Sequence, residues 1–283
     1  MEMIKLPERF NYIGVFLTFN CQYSCAYCIN HHNGRIRDYP EMTAQDWVAG
    51  LNRLPSSETL PITLQGGEPT LYKHFFRILR AVRKPMDLLT NLAIGADEFM
   101  ENIPAWVFKR EAKYASIRVS YHPSQANFMQ LLRKVKYMQD HGYDIGVWEV
   151  DHPDYPNKIA LRKGVAEAWG IDYRLKDFLG PWKGEYYGNF AYNGAVNNSH
   201  AGSCMCRTSE ILVAPDGYIF RCHADLYNRR NTIGHILQDR EIEELGKWKE
   251  CYHFGDCNAC DVKVKTNRFQ EYGHSSVEVK HDR

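Results

Sequence analysis

Three cysteines, Cys21, Cys25 and Cys28, follow the apolar run Ile13-Gly-Val-Phe-Leu-Thr-Phe19 with the spacing C-x3-C-x2-C. Three thiolates this close in sequence can hold three irons of a cubane cluster. The next cysteine is Cys204, so one iron is left without a nearby protein ligand. An open iron makes such a cluster a chemical site rather than a plain electron store.

Zinc and disulfides are the other uses of such a run. Structural zinc takes four ligands, usually as two C-x2-C pairs. His31 and His32 could complete a Cys3His set here, so the residues alone leave zinc open. Disulfides are not expected. Met1-Glu-Met-Ile-Lys-Leu6 has neither the basic nor the apolar region of a signal peptide. Nine cysteines without an export signal read as metal ligands in a reducing compartment, and a cytoplasmic location is expected.

A second motif lies about forty residues further on. Ile62-Thr-Leu-Gln-Gly-Gly-Glu-Pro-Thr-Leu71 reads as a short strand running into Gly66-Gly67-Glu68-Pro69. Two glycines let a ligand approach the backbone closely, and Glu68 can accept from an ammonium. Alone, Gly-Gly-Glu-Pro is an ordinary turn signal.

The two motifs together resemble the radical S-adenosylmethionine (SAM) enzymes. Tyr27, just before the third cysteine, matches the aromatic residue common in that family's cluster motif. Gly66–Pro69 is similar to its second signature, in which a glycine-rich strand end meets the amino group of SAM. The resemblance implies a [4Fe–4S] cluster on Cys21, Cys25 and Cys28 with SAM at its open iron. Tyr27, Gly66, Gly67, Glu68, Pro69, Asn91 and Ser120 are the cofactor-binding candidates.

The elements that must position these residues are legible. From residue 11 to about 178 the pattern alternates strand and helix. Strands are expected at 12–19, 61–65, 86–91, 115–121, 144–151 and 171–176. Helices are expected near 43–54, 71–83, 97–110, 124–141 and 157–169, with Thr43 as an N-cap. Apolar residues at 128, 131, 132, 135 and 138 form a helical stripe. This alternation implies parallel strands with helices outside. Right-handed crossovers would curl them into a barrel or partial barrel, with the chemistry at the strand C-terminal ends. Both motifs follow strands. The resemblance adds a six-stranded partial (β/α) barrel over 1–178.

Residues 179–203 form a connecting segment rich in glycine and aromatics. It has no helical period and reads as a long loop, expected to cover the barrel mouth, with plain interdomain packing as the alternative. Residues 204–283 hold the other six cysteines. Two short apolar runs flank Pro215-Asp-Gly217, a β-hairpin signal. A hairpin would bring Cys204 or Cys206 beside Cys222. Cys257-Asn-Ala-Cys260 would supply the remaining pair of a four-cysteine site, equally suited to zinc or a cluster. This spacing is similar to the twitch domain, the shorter form of the SPASM extension of radical SAM enzymes. That resemblance implies an auxiliary [4Fe–4S] cluster in a small cysteine-rich hairpin-plus-helix domain. Cys251 has no role in this scheme and reads as a small buried hydrophobe.

At 283 residues, 44% hydrophobic and with a net charge of +1, the chain is expected to be globular, with no electrostatic footprint for nucleic acid. No apolar stretch reaches a membrane span. By resemblance the function is reductive cleavage of SAM to a 5′-deoxyadenosyl radical, which takes hydrogen from a small molecule or a peptide. A flavodoxin or ferredoxin would donate the electron. Oxidation through the auxiliary cluster is expected, with dehydrogenase, epimerase and cross-linking chemistry all open. The chain begins about ten residues before its first strand, so no fused leader-binding module is expected. A peptide-modifying enzyme working with a separate carrier is one alternative; a non-catalytic iron–sulfur or zinc protein is another. Ser120, His122, Glu149, Arg174 and Lys176 are polar candidates near strand ends. Arg174 and Lys176 share one strand face by period 2 and could grip an anionic substrate.

Overall fold

The computed structural model describes residues 3–31, 38–196, 202–238, 242, 245–265 and 273–281. His32 and the side chain of His31, the zinc candidates beside the cysteine loop, lie outside the described residues.

Six strands and five helices alternate as the periodicity requires. They are β1 (Tyr12–Thr18), α1 (Ala44–Leu51), β2 (Ile62–Gly66), α2 (Phe75–Ala81), β3 (Met86–Thr90), α3 (Ala96–Asn102), β4 (Ile117–Tyr121), α4 (Phe128–Asp140), β5 (Ile145–Asp151), α5 (Pro156–Ala168) and β6 (Tyr173–Asp177). All six strands pair in parallel in sequence order, through Ile13↔Ile62, Ile62↔Met86, Leu88↔Ile117, Ile117↔Ile145 and Val147↔Tyr173. Thr43 caps α1, its hydroxyl accepting from the Asp46 N–H at 3.2 Å.

The core lies between this sheet and its helices. Ile13, Val15 and Leu17 of β1 and Leu64 of β2 pack in one cluster with Trp47, Ile78, Phe99 and Leu132 from the helix layer. Each fully buried aliphatic side chain contributes about 1.5–3 kcal/mol relative to exposure. The opposite face of the sheet carries polar side chains, and there the cavities lie.

The remaining strands depart from expectation in two ways. The hairpin around Asp216-Gly217 forms, but not as a unit apart. After β7 (Gly180–Trp182), β8 (Glu185–Tyr187) and β9 (Gly202–Thr208) comes β10 (Glu210–Val213), which pairs in parallel with β1 through Tyr12↔Glu210 and Val15↔Val213. Next are β11 (Tyr218–Phe220), α6 (His223–Asn228) and β12 (Gly234–His235). The main sheet therefore has nine strands, ordered β12-β11-β10-β1-β2-β3-β4-β5-β6, not six. β13 (Lys249–Phe254), α7 (Ala259–Val262) and β14 (Val277–Lys280) complete the chain, and β13-β9-β14 form a second sheet.

The segment after β6 is not irregular throughout. β7 and β8 pair antiparallel across Lys183-Gly184, both at positive φ (50° and 88°). Two consecutive positive φ values make the tight turn whose twist suits a hairpin.

Candidate functional site

The loop after β1 carries Cys21, Cys25 and Cys28 and is seated by the end of β2. The Gly67 N–H donates to Thr18 O at 2.9 Å and the Glu68 N–H to Asn20 O at 2.8 Å. Any side chain at Gly67 would put its Cβ 2.5 Å from Phe19 O and nearer still to Asn20 O; at Gly66 it would collide with Thr18 O. Gly66 also has φ +148°. The two glycines thus admit the cysteine loop itself, a demand the sequence reading assigned to a ligand.

All three thiols line one cavity of about 270 Å³. The backbone of Gly66 and Gly67 forms part of its wall, and Asn91, Ser120 and His122 add polar groups from the ends of β3 and β4. Asn91 donates to Cys21 Sγ at 3.8 Å and accepts from Gln22 Nε2 at 2.9 Å. Tyr27 lines the same cavity, with its hydroxyl 3.3 Å from Nδ1 of His122. Burial, and then the neighbouring Cys28 and Cys21 thiols, push the Cys25 thiol up to about 12. Three crowded thiols hold their protons until a metal displaces them. Burial, with Lys176 second, pushes His122 down to about 4, so its imidazole is neutral at physiological pH.

Three of the sequence candidates face elsewhere. Glu68 is fully buried and does not line the cavity. Its carboxylate accepts from the Thr70 N–H (3.1 Å), the Thr70 and Thr90 hydroxyls (2.7 Å each) and the Asn91 N–H (2.6 Å). It is a brace between β2 and β3, with its acceptor positions filled from within. Pro69 starts a short 3-10 turn and is buried. Glu149 is also buried, on the helix side of β5, where it pairs with Arg162 and accepts from the Tyr173 hydroxyl. Its neighbours Trp148 and Val150 take the cavity face instead.

Arg174 and Lys176 share a face as period 2 requires, and both reach a second cavity of about 240 Å³. Arg174 is committed to Asp172 at 2.9 Å and to Lys113 O at 2.5 Å. Lys176 lines both cavities and stands where they meet. Burial first, then Arg118 and Lys263, push its ammonium down to about 8. Arg118 shares the second cavity and is paired with buried Asp87 at 3.1 Å.

Phe178 and Leu179 also line the first cavity. Phe178 packs edge-on against His152 (4.9 Å between ring centres), Trp182 (6.0 Å) and Tyr187 (5.5 Å). The β7–β8 hairpin and its aromatics therefore pack behind this part of the cavity wall. Sequence reading noted the aromatics but not His152, which their clustering around a strand end could have suggested.

The C-terminal cysteines are divided. Cys204, Cys206, Cys222, Cys251 and Cys257 line a separate small cavity of about 30 Å³. Cys260 does not; it lines both central cavities. No three Cys, His, Asp or Glu side chains among the described residues are placed to share a single ion. The donor sets fit iron–sulfur groups: three thiols around one cavity beside polar groups, and five thiols around another.

A family profile described as Radical SAM superfamily matches residues 15–144. Among solved structures, Streptococcus suis SuiB bound to S-adenosylmethionine is similar, with a TM-score of 0.54 and 16% identity over 84% of this chain and 64% of SuiB. SuiB bound to its precursor peptide SuiA gives 0.55 and 15% over 84% and 65%. Native anSMEcpe with bound AdoMet and Cp18Cys peptide gives 0.50 and 16% over 81% and 78%. This chain thus spans less than two thirds of SuiB. A search of curated proteins found no match. Among the described residues no helix is long and apolar enough to cross a membrane. Identities this low establish a shared fold, and the match to the radical SAM superfamily profile, over residues 15–144, falls on the cysteine loop and the strands that seat it.

Proposed function

We propose that this chain is a radical SAM enzyme acting on a peptide, with Cys21, Cys25 and Cys28 as the ligands of its SAM-binding [4Fe–4S] cluster. One observation carries the reading: these three thiols share a cavity with the Gly66–Gly67 backbone and with Asn91, Ser120 and His122. When bound, the cluster and SAM supply one-electron cleavage of SAM and, from it, hydrogen-atom abstraction at an unactivated carbon. The chain's own groups orient and enclose. Asn91 donates towards Cys21 and Gln65, Ser120 and neutral His122 offer hydrogen bonds to a polar ligand. The Phe178 cluster gives the cavity wall an apolar stretch that would exclude water.

Support for a peptide comes from the similar folds of SuiB bound to precursor peptide SuiA and anSMEcpe bound to a Cp18Cys peptide. A small anionic molecule is the second reading, favoured by Arg118, Arg174 and Lys176 around the adjoining cavity. A flavodoxin or ferredoxin is the proposed electron donor, and the C-terminal cysteines are proposed to hold an auxiliary cluster.

Anaerobic incubation with SAM and dithionite should yield 5′-deoxyadenosine. Replacing Cys21, Cys25 and Cys28 together by alanine should abolish that product. Its persistence in the triple variant would remove the proposed activity from this cavity. Deuterium transfer from labelled peptides into 5′-deoxyadenosine, against none from anionic small molecules, separates the two substrate classes.

A further inference from the structure

The sequence places Cys257 and Cys260 in one C-x2-C pair, and such a pair normally binds one metal group from a single loop. In the structure the two thiols part. Cys257 precedes Asn258, the N-cap of α7, whose side chain accepts from the Cys260 N–H at 2.9 Å. The chain turns from extended to helical between the two cysteines. Cys257 stays beside the β9–β13 sheet, with its N–H bonded to Ala195 O at 3.0 Å. Cys260 is carried into the first turn of α7, towards the main sheet.

The surroundings of each thiol agree with this division. Cys251 of β13 lies directly opposite Cys204 of β9, and Cys206, two residues along β9, lines the same small cavity. Cys257 and Cys222, the latter at the N-cap of α6, line that cavity as well. Cys260 lies outside that cavity and shares a wall with Cys21, Cys25 and Cys28 instead.

From this division we infer that the auxiliary metal site draws its ligands from Cys204, Cys206, Cys222, Cys251 and Cys257, and that Cys260 stands outside it as a thiol of the reaction cavity. The assignment rests on the proposed reading that the C-terminal cysteines hold a metal group. It gives Cys251 a ligand role, and it sets an unmetallated thiol beside the substrate space, where a sulfur–hydrogen bond faces whatever the cavity holds.

The test is metal and sulfide content of anaerobically reconstituted full-length protein, with thermal unfolding as a check on folding. Wild type should carry about four irons beyond the SAM-binding cluster. No metal beyond the first cluster would overturn the reading, and with it the assignment. Cys260→Ala should keep the auxiliary metal in full, because five thiols remain; its loss overturns the assignment while leaving the reading intact. The double variant Cys206→Ala/Cys251→Ala keeps Cys204, Cys222, Cys257 and Cys260, the set read from the sequence. It should lose the auxiliary metal, and retention overturns the assignment. If the double variant does not fold, Cys260→Ala decides alone.

Discussion

The hydroxyl of Tyr227 donates to Oδ1 of Asn30 at 2.6 Å. Asn30 in turn donates to Gly66 O at 2.9 Å. A helix from the C-terminal part of the chain thereby holds the end of the cysteine loop, which holds the end of β2. Asn258 adds a weaker tie, from Nδ2 to Ile29 O at 3.3 Å. Both halves of the chain thus contribute to one loop.

Tyr227→Phe leaves the ring packing in place and removes only this donor. Loss of a buried hydrogen bond costs about 1–3 kcal/mol when its partner is left unsatisfied. We expect a lowered midpoint of thermal unfolding and faster amide exchange across residues 19–31, with α6 still formed. Unchanged exchange in that loop would mean that Tyr227 does not hold it.

Gly67→Ala should unseat the cysteine loop, because the added Cβ falls on the carbonyls of Phe19 and Asn20. Iron per chain should drop by about four, the content of one [4Fe–4S] cluster. Full iron content in this variant would show that the strand end can retreat without cost.

Glu68→Ala strands the Thr70, Thr90 and Asn91 donors in the protein interior. Hydrogen bonds to a charged group are worth about 1.5–3 kcal/mol each, so a destabilisation of at least about 3 kcal/mol in urea unfolding is expected. Displacement of Asn91 should also weaken SAM binding, as an indirect result of the lost brace. Normal stability with weakened SAM binding would instead give Glu68 direct contact with the ligand.

His122 sets a pH dependence. Its folded-state pKa of about 4 lies below the ordinary 6.5, so the folded protein favours the neutral ring. The stability this confers is present above pH 6.5 and is lost as the pH falls towards 4; the full effect is roughly 3–3.5 kcal/mol. Urea unfolding of metal-free protein across that window should fall more steeply for wild type than for His122→Asn. Parallel curves would place the titration elsewhere.

The barrel elements were legible because their periods are long and regular, and Arg174 and Lys176 were placed on one face by parity alone. Glu149 escaped the same logic. In Ile145-Gly-Val-Trp-Glu-Val150 apolar residues stand on both sides of the strand, so composition does not say which parity faces the cavity. Glu68 looked like a ligand group because a carboxylate beside two glycines invites that reading; the hydroxyls that bind it come from Thr70 and from Thr90 on the next strand. The hairpin around Gly217 was read from its turn, but its attachment to β1 depends on a pairing between distant segments that no local pattern records. The division of Cys257 from Cys260 depends on where α7 begins, and sequence gives helix starts least sharply.

The parallel pairing of β1 with β10 also orders events during synthesis. Until residues 210–213 leave the ribosome, β1 is an edge strand with unpaired backbone groups. The anchor from Tyr227 emerges later still. The nascent chain therefore presents its first three cysteines on an unfinished seat until Tyr227 has emerged, and delivery of iron and sulfide to that loop is best timed after that point. A fragment stopped near residue 178 would keep the cysteine motif yet expose this edge, and it should be recovered mainly as aggregate.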